Sequence, residues 1–174
     1  YEDPELIPTL FSLLHAAEFP ERIIVGIVWQ GVGACPVLEP QIVDELATRW
    51  IGASAPPSEK PDASSSLEQL AALGLKSSAV HRRMGNRLRV LELPTREAKG
   101  PQWARYLQEL LWEPSEPWYC QMDSHMRMAS GWDTACINEI EALEAEAPGK
   151  KMLTCYGSHF PVGAPHDWAQ RQEW

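Results

Sequence analysis

The sequence has no unbroken run of about 18 apolar residues, and no charged-then-apolar leader stands before a small-residue cleavage site. Neither a membrane-spanning helix nor a signal peptide is legible in it. It also lacks an initiating methionine: Tyr1-Glu2-Asp3-Pro4-Glu5 already reads as the approach to a helix, so we expect that something upstream has been removed. A leader lost with that part would leave no trace, and the absence is silent on compartment. Cysteine is scarce as well. Cys35, Cys120, Cys136 and Cys155 are widely spaced and form no CxxC pair, which argues against a zinc knuckle, and they are too few for a disulfide scaffold at this length. Buried free thiols are the expectation. Positive charge is in deficit, 15 Lys and Arg against 24 Asp and Glu for a formal net charge of -9. Nonspecific nucleic-acid binding, which needs Lys and Arg to neutralise phosphates, is disfavoured, although a local basic cluster can still meet a diphosphate.

With 44% hydrophobic residues among 174, the chain can bury a core of ordinary size and should form one domain or a large part of one. Asp3-Pro4 suits a helix start, Asp3 as the cap and Pro4 in the first turn, and Leu6, Leu10, Leu13, Leu14 and Ala17 follow at helical spacing until Phe19-Pro20. Arg22 to Gln30 is short and β-branched and reads as a buried strand. From Gly52 to about Ser78 the composition turns to Ala, Ser, Pro and Lys, too poor in apolar residues to offset ordering entropy. We expect a mobile insertion over 52–80 with one short helix near Leu67 to Leu75. Arg87 to Pro94 suits a second strand, and Pro101 opens a helix with Trp103, Leu107, Leu110 and Leu111 on one face. Pro117 to Met122 reads as a third strand running into Asp123-Ser124-His125. After a cap at Gly131-Trp132-Asp133, an amphipathic helix from Thr134 to about Ala147 puts Ile137, Ile140 and Leu143 inward and an acidic face in solvent. Lys150 to Tyr156 reads as a fourth strand. The alternation of helix and strand predicts an α/β fold with a mainly parallel sheet.

Ligands of such sheets bind beyond the carboxyl ends of strands, where Asp123 and His125 are expected to lie. Residues two apart in extended chain project to one side, so one carboxylate and one imidazole can converge on a single cation. A mixed oxygen and nitrogen donor set suits manganese or a similar divalent metal better than calcium. His15, His159 and His166 have no partner at ligand spacing, and tryptophans such as Trp29, Trp103, Trp118 and Trp132 are expected in the core rather than as sugar platforms.

The run from Trp118 to Asp133, which includes Asp-Ser-His-Met-Arg-Met and Gly-Trp-Asp, resembles the signature of the glycosyltransferases that add N-acetylglucosamine to hydroxyproline on cytoplasmic proteins. Further blocks appear in that family's order: Tyr1-x-Asp-Pro-Glu5, Val28-Trp29-Gln30, Ala98-x-Gly-Pro-x-Trp-Ala-Arg105 and Thr154-x-Tyr156. Met128 departs from the Phe usual there. More distantly, Asp-Ser-His with an upstream Ala-Arg is similar to the polypeptide N-acetylgalactosaminyltransferases.

The resemblance implies a partial GT-A type catalytic domain over 1–174, with a Rossmann-like nucleotide-sugar-binding sheet that is incomplete at both ends. It also implies a UDP-sugar donor, a protein acceptor and a divalent metal such as Mn2+ held by Asp123 and His125. Transfer of N-acetylglucosamine to a hydroxyproline or Ser/Thr hydroxyl, with retention, is the implied reaction. Ser124, Arg127, Arg105 and Asp3 are implied to bind the nucleotide sugar: Arg105 at the phosphates, Asp3 near the base, and Arg127 orienting the sugar or Asp123. A later segment carrying a further metal ligand is not recognised. The family's location implies cytoplasm and leaves the Golgi and secretory pathway open. Two other readings are an inactive fragment or pseudoenzyme that binds UDP-sugar or a protein, and a metal hydrolase or phosphatase. The last is disfavoured because no second ligand pair appears at the right spacing.

Overall fold

A computed structural model describes residues 2–50, 69–75, 78–154, 159–161 and 163–171. The chain divides into two compact units, Tyr1–Asp3 with Ile23–Met122 and Pro4–Arg22 with Asp123–Trp174.

In the first unit, β1 (Val25–Gly31), β2 (Ala79–Arg83) and β3 (Leu88–Pro94) form a three-stranded sheet in the order β1-β3-β2. β1 runs parallel to β3, Val25 opposite Leu88 and Gly31 opposite Pro94, whereas β2 runs antiparallel to β3. β3 is central and apolar: Leu88, Val90 and Leu91 are fully buried and Leu93 nearly so. The helix α2 (Pro40–Trp50) buries Leu46 and Trp50, and the Trp50 indole donates to the Ile23 carbonyl at 3.2 Å. The helix α3 (Pro101–Glu109) has proline in its first turn, where the missing amide costs nothing. Its Leu107 packs with Leu91, Leu93, Leu111, Leu70 and Leu75, and Trp103 and Leu110 lie against that cluster. Leu70 belongs to a helical turn at 69–72.

The mainly parallel, Rossmann-like sheet expected from the sequence is not what forms. Among the described residues the sheet is small and mixed, with one parallel and one antiparallel pairing. Pro117 to Met122 forms no ladder, and residues 117–121 are exposed. Pro114 and Pro117 remove amide donors at its start, and the buried stretch that could have made it a central strand is missing. Residues 150–154 of the expected fourth strand also form no ladder, while 155–158 lie outside the described residues, as do 51–68 of the expected insertion. The unexpected strand is β2, whose His81, Arg82 and Arg83 gave no apolar signal. It is tied to β3 by a loop in which Met84, Gly85 and Asn86 have φ of 57°, 61° and 74°. Glycine and asparagine tolerate this left-handed conformation, and the Asn86 side chain accepts from Arg82 at 2.5 Å and Arg89 at 3.1 Å.

Arg89 is the second residue of β3, and its side chain is 1% exposed. Such a charge is tolerable only when compensated. Its guanidinium donates to the Leu111 carbonyl at 2.5 Å, pairs with Glu116, and lies 3.3 Å from Glu113, which also takes Arg82 at 2.9 Å. This network fixes the chain that leaves α3.

In the second unit, α1 (Leu6–Ala16) buries Leu6, Leu10, Leu13, Leu14 and Ala16, with Thr9 and Ser12 among them. Its N-cap position is Glu5, which makes no side-chain cap, so Asp3 is not the cap. The helix α4 (Trp132–Glu146) starts after Gly131, at φ 69° in the left-handed region. None of its residues is buried, and Leu143, expected inward, is 38% exposed.

Candidate functional site

The Asp-Ser-His segment is not positioned by a sheet. Helix α1 holds it instead, through two hydroxyls on its buried face. The Thr9 Oγ1 donates to the Ser124 carbonyl at 2.7 Å and accepts the Met126 amide at 2.9 Å. One side chain thus grips the backbone on both sides of His125. The Ser12 hydroxyl, fully buried, accepts the Met128 amide at 2.8 Å. Further along, the Gly131 amide donates to the Ala16 carbonyl at 2.7 Å, and the Trp132 indole donates to the Leu13 carbonyl at 3.0 Å. Asp133 closes the series: its carboxylate accepts the Glu18 and Phe19 amides at 2.8 and 3.0 Å. Helix hydroxyls and carbonyls here satisfy backbone groups that a neighbouring strand would otherwise take.

Arg127 fixes the segment from within. Its side chain is 1% exposed and pairs with Glu5. Its Nε donates to the Ala164 and Pro165 carbonyls, both at 3.1 Å, and the Phe160 ring stacks on its guanidinium at 4.6 Å. A guanidinium so occupied acts as a tie between the start of α1, the motif, and Phe160, Ala164 and Pro165. Between these anchors the chain alternates: Asp123 and His125 are exposed, Ser124 and Met126 half-buried, Arg127 buried. The two candidate ligands therefore face solvent while their neighbours are held.

The structure places Asp123, Ser124, His125 and Arg127 in one unit, and Asp3 and Arg105 in the other. Asp3 follows Glu2, whose carboxylate accepts the Val32 amide just beyond β1. Arg105 is half-buried on α3, and its carbonyl accepts the Gln121 side chain at 3.2 Å. Of the remaining histidines, His166 meets His15 edge-on at 5.3 Å and Phe11 at 6.3 Å, and His159 is exposed. Among the described residues, no three His, Cys, Asp or Glu side chains are grouped to hold a metal ion. The motif offers one carboxylate and one imidazole on exposed residues. That set fits a borderline divalent cation drawing its other ligands from phosphate oxygens and water.

A family model described as Glycosyltransferase (GlcNAc) matches residues 1–173. The chain belongs to this glycosyltransferase family. Neither a curated protein nor a solved structure matches it. Membership supports a glycosyltransferase type of activity, and no described helix is long and apolar enough to cross a membrane. Asp123 and His125 stand out in the sequence and are exposed, but the residues that position them do not. Thr9, Ser12 and Glu5 were legible only as helix residues. The available signal was two hydroxyl residues three apart on the apolar face of Leu6, Leu10 and Leu13.

Proposed function

We propose that the chain transfers N-acetylglucosamine from UDP-N-acetylglucosamine to a protein hydroxyl, hydroxyproline or Ser/Thr, with retention of configuration. Asp123 and His125 hold a divalent cation, manganese or one like it. The observation that carries this reading is the exposed carboxylate and imidazole, two residues apart, on a segment gripped by Thr9 and Ser12 in a chain of the GlcNAc glycosyltransferase family. A bound cation supplies Lewis-acid stabilisation of the negative charge that gathers on the departing diphosphate.

The chain's own residues supply the rest. Asp123 and His125 present donors without needing to move, because the backbone on either side is already fixed. Ser124 lies between them and adds a hydroxyl toward the donor. Arg127, whose hydrogen bonds go to protein groups, serves by orienting the Asp123 segment. A cytoplasmic setting accompanies the hydroxyproline reading.

The test is transfer of labelled sugar from UDP-N-acetylglucosamine and UDP-N-acetylgalactosamine to peptides bearing hydroxyproline, serine or threonine, with manganese and with chelator. We expect transfer of the glucosamine derivative only with metal, and none by Asp123→Ala. Metal-independent transfer would exclude the cation role. One observation favours a second reading, a non-catalytic relative that binds UDP-sugar: the two-donor motif has no third metal-binding partner among the described residues. Turnover on any acceptor excludes that reading.

A further inference from the structure

Two aromatic residues lie on the surface of the first unit. Trp112 and Tyr119 are 42% and 46% exposed, and with Glu109 they line an open pocket of about 270 Å³. Exposed rings are ordinary, but these two are held. The Trp112 indole donates to the Glu116 carbonyl at 3.2 Å, and the Glu116 side chain is itself anchored by Arg89. The Tyr119 hydroxyl accepts the Gln121 side chain at 3.1 Å, and that amide also donates to the Arg105 carbonyl at 3.2 Å and the Gln108 side chain at 3.3 Å. The Trp112 N–H is thus taken up within the protein and the Tyr119 oxygen accepts one bond, so the ring faces are most of what the pocket has to offer.

Between them stands a carboxylate. Glu109 is exposed at the end of α3, and its carboxylate has no hydrogen-bond or ion-pair partner among the described residues. The Arg105 to Glu109 pairing that their spacing of four would allow is not made. Burial pushes the Tyr119 phenol above its ordinary value against the opposing Gln121 hydrogen bond, and the negative charge of Glu109 adds to the rise, which puts that charge near the ring.

We propose that this pocket binds the cationic head of a lysine or arginine side chain presented by a partner peptide. A cation over the negative faces of indole and phenol, neutralised by an unpaired carboxylate, gains from all three groups at once, and the pinned rings lose little freedom on binding. A neutral sugar is the poorer occupant. It needs several directional donors and acceptors at the rim, and the Trp112 N–H is already engaged. The site is independent of the transfer reaction and of the motif, which lies in the other unit.

The test uses the full chain and four probes: the N-acetyl methylamides of lysine, arginine, norleucine and glutamate, titrated at low salt. The readouts are the NMR signals of the Trp112 indole and the Tyr119 ring. Lysine and arginine are expected to give saturable shifts, norleucine and glutamate none. Glu109→Gln, a surface change that leaves the helix intact, should weaken lysine binding about five- to tenfold, the range expected for loss of one close charge. Glu141→Gln on the exposed face of α4 makes the same change in net charge and should leave binding unaltered. Equal titration by lysine and norleucine would overturn the proposal, as would an equal loss in the two glutamine variants, which would report net charge alone.

Discussion

Thr9→Val keeps the shape of the side chain and removes its hydroxyl. The Met126 amide and Ser124 carbonyl then lose a partner, which costs about 1–3 kcal/mol for buried groups. The expected outcome is a lower urea midpoint together with weaker manganese binding, while Thr9→Ser retains both; equal manganese affinity in Thr9→Val would show that the grip does not matter to the site. Cys35 gives a second prediction. Burial pushes its thiol up to about 11 from 9.0, with the Val37 backbone hydrogen bond opposing and the charge of Glu92 adding. A folded-state value above the unfolded one means a contribution present in full below pH 9 and lost as pH rises through 11. Stability should fall across that window, and Cys35→Ala should flatten the fall. At neutral pH, exposed Cys120 should be alkylated well before buried Cys35, as peptide mapping would show. The sequence expectation of buried thiols holds for Cys35 and fails for Cys120, because Cys120 lies on the exposed 117–121 stretch that had been read as a strand.

Elements were legible where apolar spacing was strong. α1, β1, β3, α3 and α4 stand close to where periodicity put them, since Leu10, Val90 or Leu107 has one place to go once water is excluded. β2 was missed because an edge strand needs only one covered face and Val80 alone carries it. α2 was not anticipated either, although Ile42, Val43, Leu46 and Trp50 recur at helical spacing after Pro40. The opposite error is a strand at Pro117 to Met122, where Trp118, expected in the core, is 44% exposed. Arg89 was legible only as a charge, and Arg127 as a residue of the motif, although both join elements. Arg127→Met would leave the Glu5 carboxylate and the Ala164 and Pro165 carbonyls without their donor. Breaking such a pair costs about 3–5 kcal/mol, and the lower value applies here because Glu5 is 20% exposed. Denaturant unfolding should register that loss and, if Arg127 orients the motif, manganese affinity should fall with it.

At the scale of the whole molecule, the family was legible because blocks of sequence survive where spacing alone does not discriminate. The sheet was not, because the same blocks led to an architecture that the described residues do not adopt. What links family to chemistry is local: a helix with two inward hydroxyls holds Asp123 and His125 toward solvent, with a buried arginine beneath. The central claim is that this pair makes a metal-dependent donor site. Calorimetric titration of UDP-N-acetylglucosamine into the full chain, with and without manganese and beside Asp123→Ala, tests it most directly. Binding that requires manganese and disappears in Asp123→Ala is the predicted result. A folded chain that binds no donor in either condition, or binds it equally well without Asp123, would contradict the claim.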